Sequence, residues 1–295
     1  MDKCIMTPEQ QQAIKSNMFK GAYSAIDDWM AFDWHTHAQS PRSSQMLAID
    51  VFGTLKVSPQ KVRDAVISEL VREAGVPSDG PWHIELEWQD SGNALNERRP
   101  TQVDAVAISP NAQLFFECKF TEAGGSCSQP KRDKEGLAAC NGRYEAQTNP
   151  KSGSSSSCAL SGKGIGYWQW AEKLYGLSVS EDHAPFPFAS DAYQWMRNSA
   201  LAKAVQVRDG LATRVFATYA ESEFLQTAAK IKSGRLGIKP VLPDDDIIPL
   251  SYQNLLSIAT RLDPSGPWED LTGWVERKIA AAAPTRPIRT SPDMS

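Results

Sequence analysis

Residues 101–120 read TQVDAVAISPNAQLFFECKF, and this stretch decides the fold. Two apolar runs flank the turn pair Pro110–Asn111, and proline followed by asparagine is strong turn chemistry. Both runs carry charge in their middle: Asp104 in the first, Glu117 and Lys119 in the second. An even-length loop centred on Pro110–Asn111 pairs Asp104 with Glu117, whose Cβ atoms are then roughly 4.5–5.5 Å apart. A strand period of two brings Lys119 to the face of Glu117, and a slip of one residue would break the alignment. On the other face lie Val103, Ala105 and Ala107, with Phe116, Cys118 and Phe120 across from them. Two neighbouring carboxylates in so apolar a setting repel each other and lose hydration worth several kcal/mol per ion. A divalent cation relieves both costs, and hard carboxylate oxygens suit Mg²⁺ or Mn²⁺. An ion pair of Lys119 with Asp104 or Glu117 is the plain structural alternative.

The rest of the chain frames this hairpin. The 295 residues are 41% hydrophobic and 22% charged, the balance of a globular protein with a sizeable core. No run of apolar residues reaches membrane-spanning length. The first twenty residues, MDKCIMTPEQQQAIKSNMFK, lack the apolar centre of a secretion signal. Five cysteines in a chain this long do not make a disulfide scaffold, so a reduced, cytoplasmic setting is expected. The net charge of −4 argues against a uniformly basic nucleic-acid binder. Residues 98–143, however, hold seven basic and five acidic side chains, a local balance of +2.

Helical patterning opens at residues 8–31, with Pro8 in a first turn, and continues in SSQMLAIDVFGTL, expected to stop near Gly53. The run from Ser58 to Gly75 places Val62, Val66, Leu70 and Val71 on one face, capped by Ser58. WHIELEWQ (82–89) alternates Ile84, Leu86 and Trp88 against His83, Glu85 and Glu87, as a strand does. Residues 121–187 are irregular, interrupted by a short helix around YWQWAEKLYG, and read as an insertion or lid. A helix over 191–210, capped by Asp191 and closed by Gly210, precedes the strand RVFATYAES. A short strand and two helices follow, then a disordered-looking tail. The order helix, three strands, helix, strand predicts an α/β fold with a mixed central sheet flanked by helices. The expected divisions are a helical extension (1–40), the main domain (41–278) and the tail (279–295).

At Asp104 and Glu117-Cys118-Lys119 the chain resembles the PD-(D/E)xK nucleases, the restriction-endonuclease-like superfamily, with Val103 where that signature has proline. It is also similar to a group of bacterial restriction-endonuclease-like proteins through Ser43-Ser44-Gln45, Phe52-Gly53, Glu87 and the string ECKFTE (117–122). Tyr193-Gln194 opens the following helix where such nucleases often carry a glutamine. The resemblance covers about residues 40–220. It implies Mg²⁺-dependent hydrolysis of DNA phosphodiesters, with Mn²⁺ as a substitute, in restriction or defence against foreign DNA. It assigns Asp104, Glu117 and Glu87 to the metal, with Glu85 as the fallback for Glu87. Lys119 would position or activate the attacking water, and Gln194 would pack beside them. A cognate methyltransferase or another defence protein, and a homodimer, are the partners it implies.

Other signals are weaker. Cys127, Cys140 and Cys158 could hold Zn²⁺ or an iron–sulfur cluster, as some relatives in the superfamily do, but their spacing lacks the close pairs of a zinc site, and free cysteines are the default. His35 and His37 in WHTH read as surface residues, SGKGIG (161–166) as a turn, and YWQW as the anchor of the insertion. Glu122 reads as a solvated strand end. The alternative from another class is a non-catalytic binding module in which the charged hairpin is a structural salt bridge.

Overall fold

A computed structural model of the chain describes residues 6–76, 80–122, 125, 127, 160, 163–175, 193–232 and 247–283. Its centre is a five-stranded mixed sheet in the order β1–β5. Strands β1 (His83–Gln89), β2 (Gln102–Ile108) and β3 (Ala112–Lys119) form an antiparallel meander. β4 (Ala212–Tyr219) and β5 (Ile248–Ser251) then add in parallel. The hairpin register is the expected one, Ala105 opposite Phe116 and Ile108 opposite Gln113. Carried one step further, it sets Asp104 across from Glu117. Ser109 closes the turn from both sides: its amide donates to the Ala112 carbonyl (2.9 Å), and its hydroxyl accepts from the Ala112 amide (3.1 Å). All eight residues of β3 are buried. A strand flanked by neighbours on both edges and covered on both faces has no place for hydration.

The crossover from β3 to β4 ends in the helix that matters most for the site. The chain contributes α1 (Pro8–Ser16), α2 (Ser44–Ala48), α3 (Thr54–Val57), α4 (Gln60–Glu73), α5 (Trp168–Tyr175) and α6 (Tyr193–Asp209). After β4 come α7 (Gln226–Lys232), α8 (Tyr252–Leu262) and α9 (Trp268–Ala282). α2, α4, α8 and α9 cover one sheet face, where Phe52 packs on Phe116 (4.6 Å between ring centroids) and Phe116 stacks on Phe216 (5.0 Å). α6 covers the other face with Met196, Leu201 and Val205. Gly210, in the left-handed region at φ 70°, ends α6 as expected.

Several local expectations change. The helix from Ser44 does not stop at Gly53; it passes through a π-helical segment, Ile49–Gly53, and resumes as α3. Gly53 lets the segments pack closely there: a Cβ would lie 3.2 Å from the Ala25 methyl and 3.3 Å from that of Ala22, crowding both. Ser58 does not cap α4. Its hydroxyl donates to the Thr54 carbonyl (2.8 Å), finishing α3, and Pro59 occupies the cap position. Residues 8–31 form α1 and a 3₁₀ helix (Lys20–Ala25) rather than one helix. This N-terminal segment, expected as an extension, packs Ile14, Met18, Ala22 and Ile26 against Met46 and Ile49. Asp191, Cys140, Cys158 and residues 284–295 lie outside the described residues.

The π segment aims Asp50, fully buried, at three donors: the Phe19 amide (2.6 Å), the Trp274 indole (2.8 Å) and Lys278 Nζ (2.7 Å). Lys278 also donates to the Asn17 carbonyl (2.7 Å). This buried pair ties the N-terminal segment, the π segment and α9 together. Removing one partner strands the other charge in an apolar core, at about 3–5 kcal/mol. Lys278→Met should therefore lower unfolding stability in urea by about that amount, and Asp50→Asn added to it should recover part of the loss. A loss below about 1 kcal/mol would show that the pair does not anchor these segments.

Candidate metal-dependent hydrolytic site

The site forms where β1, β2 and β3 stop being regular. Glu87 takes a left-handed backbone conformation, φ 53°, which costs a non-glycine residue of order 1–3 kcal/mol. Across that point the strand faces exchange. Leu86 and Ala105 belong to the core under α4, whereas Trp88 and Val103 belong to the core under α6, where Trp88 meets Phe115 edge-on at 5.6 Å. The expected face of Val103, Ala105 and Ala107 therefore divides after Val103, and Ile84, Leu86 and Trp88 do not share a side. The ladder between β2 and β3 ends at the same level. There the Cys118 amide donates to Asp104 Oδ2 at 2.7 Å, so a carboxylate takes the place of a strand carbonyl.

Glu87, Asp104, Glu117 and Lys119 come together at this break. Glu117 and Lys119 are 1% and 4% exposed. Lys119 Nζ donates to Glu117 Oε1 at 2.6 Å and lies 3.9 Å from Glu122. The ammonium also faces the Trp195 ring at 5.8 Å. Glu117 Oε2 accepts a hydrogen bond from the side-chain amide of Asn198, on α6. The Glu87 side chain is 5% exposed, and its Oε1 is buried without a hydrogen-bond partner among the described residues. Glu85, the fallback, is half exposed and points instead to His83 at 3.7 Å. Glu122 caps the end of β3, accepting from the Phe120 and Thr121 amides (3.3 and 3.1 Å).

Helix α6 explains what the sequence reading missed. Gln194, the expected partner, lines the adjoining cavity, while Trp195 and Asn198 touch Lys119 and Glu117. Asn198 follows Gln194 by four residues, on the same helix face, and that spacing was the available signal. His35 is exposed, as expected of a surface loop, and its ring still comes within 3.8 Å of Glu87 Oε2. The buried side chain of Gln45 holds this loop in place, accepting from the His35 amide (2.8 Å) and donating to the Asp33 carbonyl (2.9 Å). Burial, opposed by Asp33, lowers the pKa of the His35 imidazole. The expected anchor role of YWQW fits Tyr167 and Trp170, which pack into the core under α6. Cys127 also packs against that core.

The electrostatics are those of excess negative charge. Burial, then repulsion by Asp104, pushes the Glu87 carboxyl up to about 9. Burial and Glu117 push Asp104 up to about 7, although Lys119 and the Cys118 amide oppose them. For Lys119, burial works against the charge, but Glu117 and Asp104 outweigh it and keep the side chain an ammonium. Three carboxyls thus share one lysine. A hard divalent cation fits this donor set in kind: it consists of oxygens only, and one of them is orphaned. Among the described residues no three His, Cys, Asp or Glu side chains stand in a ready metal-binding group. Glu117 spends both its oxygens on Lys119 and Asn198.

The raised carboxyls set a pH dependence. In the metal-free protein Glu87 is protonated when folded up to about pH 9, whereas unfolded it ionises above its ordinary 4.5. Its stabilising contribution is therefore complete below pH 4.5 and is lost as the pH rises toward 9. In EDTA, Glu87→Gln should melt close to wild type at pH 5 and increasingly above it toward pH 8.5, by roughly 1.5–2 °C per kcal/mol removed. A melting difference that stays flat with pH would mean that Glu87 does not titrate in this way.

A model of the family described as Restriction Endonuclease associating with ARP matches residues 9–277. No curated protein and no solved structure matches the chain. The mixed sheet and its helices have the restriction-endonuclease-like architecture, and a match over most of the chain fixes the family: the protein belongs to the restriction endonucleases associating with ARP.

Proposed function

We propose that the protein is a divalent-metal-dependent DNA endonuclease acting in restriction or defence, in the cytoplasm. The carrying observation is the meeting of Glu87, Asp104 and Glu117 around Lys119 at one break in the sheet, beside a cavity of about 870 Å³. Glu87, Asp104 and Glu117 would hold Mg²⁺ or Mn²⁺. Such an ion, when bound, supplies charge neutralisation at the phosphate and a water of lowered pKa. Lys119 remains charged and donates hydrogen bonds, so it orients the attacking water or a phosphate oxygen. Asn198 fixes the rotamer of Glu117, and the Cys118 amide fixes that of Asp104. Gln194 faces the cavity, where it can contact the bound strand. The basic balance around residues 98–143 supports DNA as the substrate. The family's description, naming association with ARP, supports a partner protein as part of the working assembly. A methyltransferase partner and a homodimer belong to the same proposal.

A second reading is favoured by one observation: the buried Lys119–Glu117 pair is complete without a metal. On that reading the protein binds a partner or nucleic acid without cutting. Plasmid DNA, methylated and unmethylated, incubated with the protein in EDTA, Mg²⁺ or Mn²⁺ tests the first reading. The expected result is cutting only with metal, reduced by about 10²-fold or more in Lys119→Ala and Asp104→Asn. Cutting that persists unchanged in both variants would overturn the site. The same variants decide an experiment without cutting: wild type should gain melting temperature with rising Mg²⁺ by mass action. Asp104→Asn should not, and no gain in wild type favours the binding module.

A further inference from the structure

The cavity beside the acids also carries positive charge: Arg98, Lys163 and Arg197 share its lining with Glu87 and Asp104. Arg197 stands out among these cations. It lies on α6 between Gln194 and Asn198, one residue before the side chain that holds Glu117. Its guanidinium rests over the Tyr193 ring at 5.6 Å, and its Nε is buried without an acceptor among the described residues. Of the acids, Glu117 acts on its charge most strongly, but the Glu117 oxygens already accept from Lys119 and Asn198, and Glu97 on the cavity wall is engaged as well. Glu97 Oε2 already accepts from the Thr101 amide and hydroxyl, both at 2.6 Å, and Oε1 accepts from the Tyr167 hydroxyl.

That arrangement fixes the cation beside the acids without closing a direct ion pair on it. Tyr167 and Tyr193 meet edge-on at 6.1 Å, and their hydroxyls lie 3.3 Å apart. The ring under the guanidinium is thus held by a buried chain that runs back through Glu97 to Thr101. A half-buried arginine that is stacked on a ring, lines the cavity and has no bound carboxylate is organised to receive an acceptor on the cavity side of its guanidinium. The planar fork matches two oxygens of a phosphate, which an ammonium cannot do. A guanidinium held near other groups but without a direct acceptor gains a charge-assisted hydrogen bond when a ligand supplies one.

We propose that Arg197 is the phosphate-holding residue of this cavity, its guanidinium taking the non-bridging oxygens of the DNA phosphodiester presented to Glu87 and Asp104. The proposal rests on the nuclease reading for the identity of the ligand, but its test needs no cleavage. Binding of a labelled DNA duplex to the full chain is measured in EDTA over a range of salt concentrations, for wild type, Arg197→Met and Arg197→Lys. Methionine keeps an aliphatic stem on Tyr193, so a folded variant is expected, with its melting temperature measured alongside. One lost phosphate contact should reduce the slope of log affinity against log salt by about 0.9, with affinity at low salt falling roughly tenfold. Arg197→Lys should keep the slope, since the charge remains, yet cut far more slowly with metal because the fork is gone. Arg261→Ala, which removes a surface pair with Glu69 far from the cavity, should change neither quantity.

An unchanged slope in a folded Arg197→Met protein overturns the inference, as does wild type that shows no salt-dependent DNA binding. If wild type binds with the expected slope change but neither cuts nor gains melting temperature with Mg²⁺, the phosphate site stands and the nuclease reading falls. If wild type cuts, and Lys119→Ala does not, while Arg197→Met binds and cuts normally, the nuclease reading stands and this inference falls.

Discussion

Everything at the site depends on a hydrogen bond that belongs to the wrong class of acceptor. In a regular antiparallel ladder the Cys118 amide would donate to a β2 carbonyl. It donates instead to the Asp104 carboxylate. Once a side chain fills that position, β2 and β3 need not stay at ladder distance, and the strand on the far side responds. Glu87, opposite Asp104 by the register of β1 and β2, turns into the left-handed region. Trp88 and Val103 then switch to the α6 face. A charged group has been built into the sheet as part of its hydrogen bonding, and the strain at Glu87 is the local cost of that choice.

This construction fixes where the negative charge can go. Asp104 cannot rotate away without orphaning a backbone amide. Glu117 is held between Lys119 and Asn198. Glu87 cannot leave because its backbone conformation commits it inward. Burial raises the two acids that lack full compensation, while Lys119 stays charged. A purely structural salt bridge needs one acid for one lysine. The acids beyond that pairing, and the orphaned Glu87 oxygen, are what a structural role leaves unexplained and a cation would satisfy.

The sequence disclosed the parts of this that obey simple periodicities. Pro110–Asn111 announced a two-residue turn, an even loop fixed the register, and register alone brought Asp104 opposite Glu117. The choice between Glu85 and Glu87 was hidden, because alternation puts both on one side and nothing marks a glutamate for positive φ. The face exchange at Trp88 and Val103 was hidden for the same reason. The helix over 191–210 was legible as a helix, but its buried face is rich in small and polar residues, Asn198, Ser199 and Ala200 among them. Hydrophobic periodicity therefore could not rank Gln194 against Asn198 or notice Arg197. The exposure of His35 was legible, but its nearness to Glu87 was not, because it depends on Gln45, ten residues later, holding the loop from inside the core.

Helix α6 also shows why the two halves of the site form one unit. Its buried Trp195 and Asn198 reach the lysine and glutamate of β3, while its half-buried Tyr193, Gln194 and Arg197 line the cavity. A rigid helix sets the distance between these groups within two turns. Tyr167, from the described part of the segment between β3 and α6, braces Tyr193 from the other side. The cavity wall is therefore completed by chain that enters long after the acids have been set on the sheet. Acid strength at β1–β3 and cation placement on α6 are linked through one packed interface. A substitution that shifts α6 by even a fraction of a turn would disturb both, whereas the hairpin could change its turn residues without reaching either.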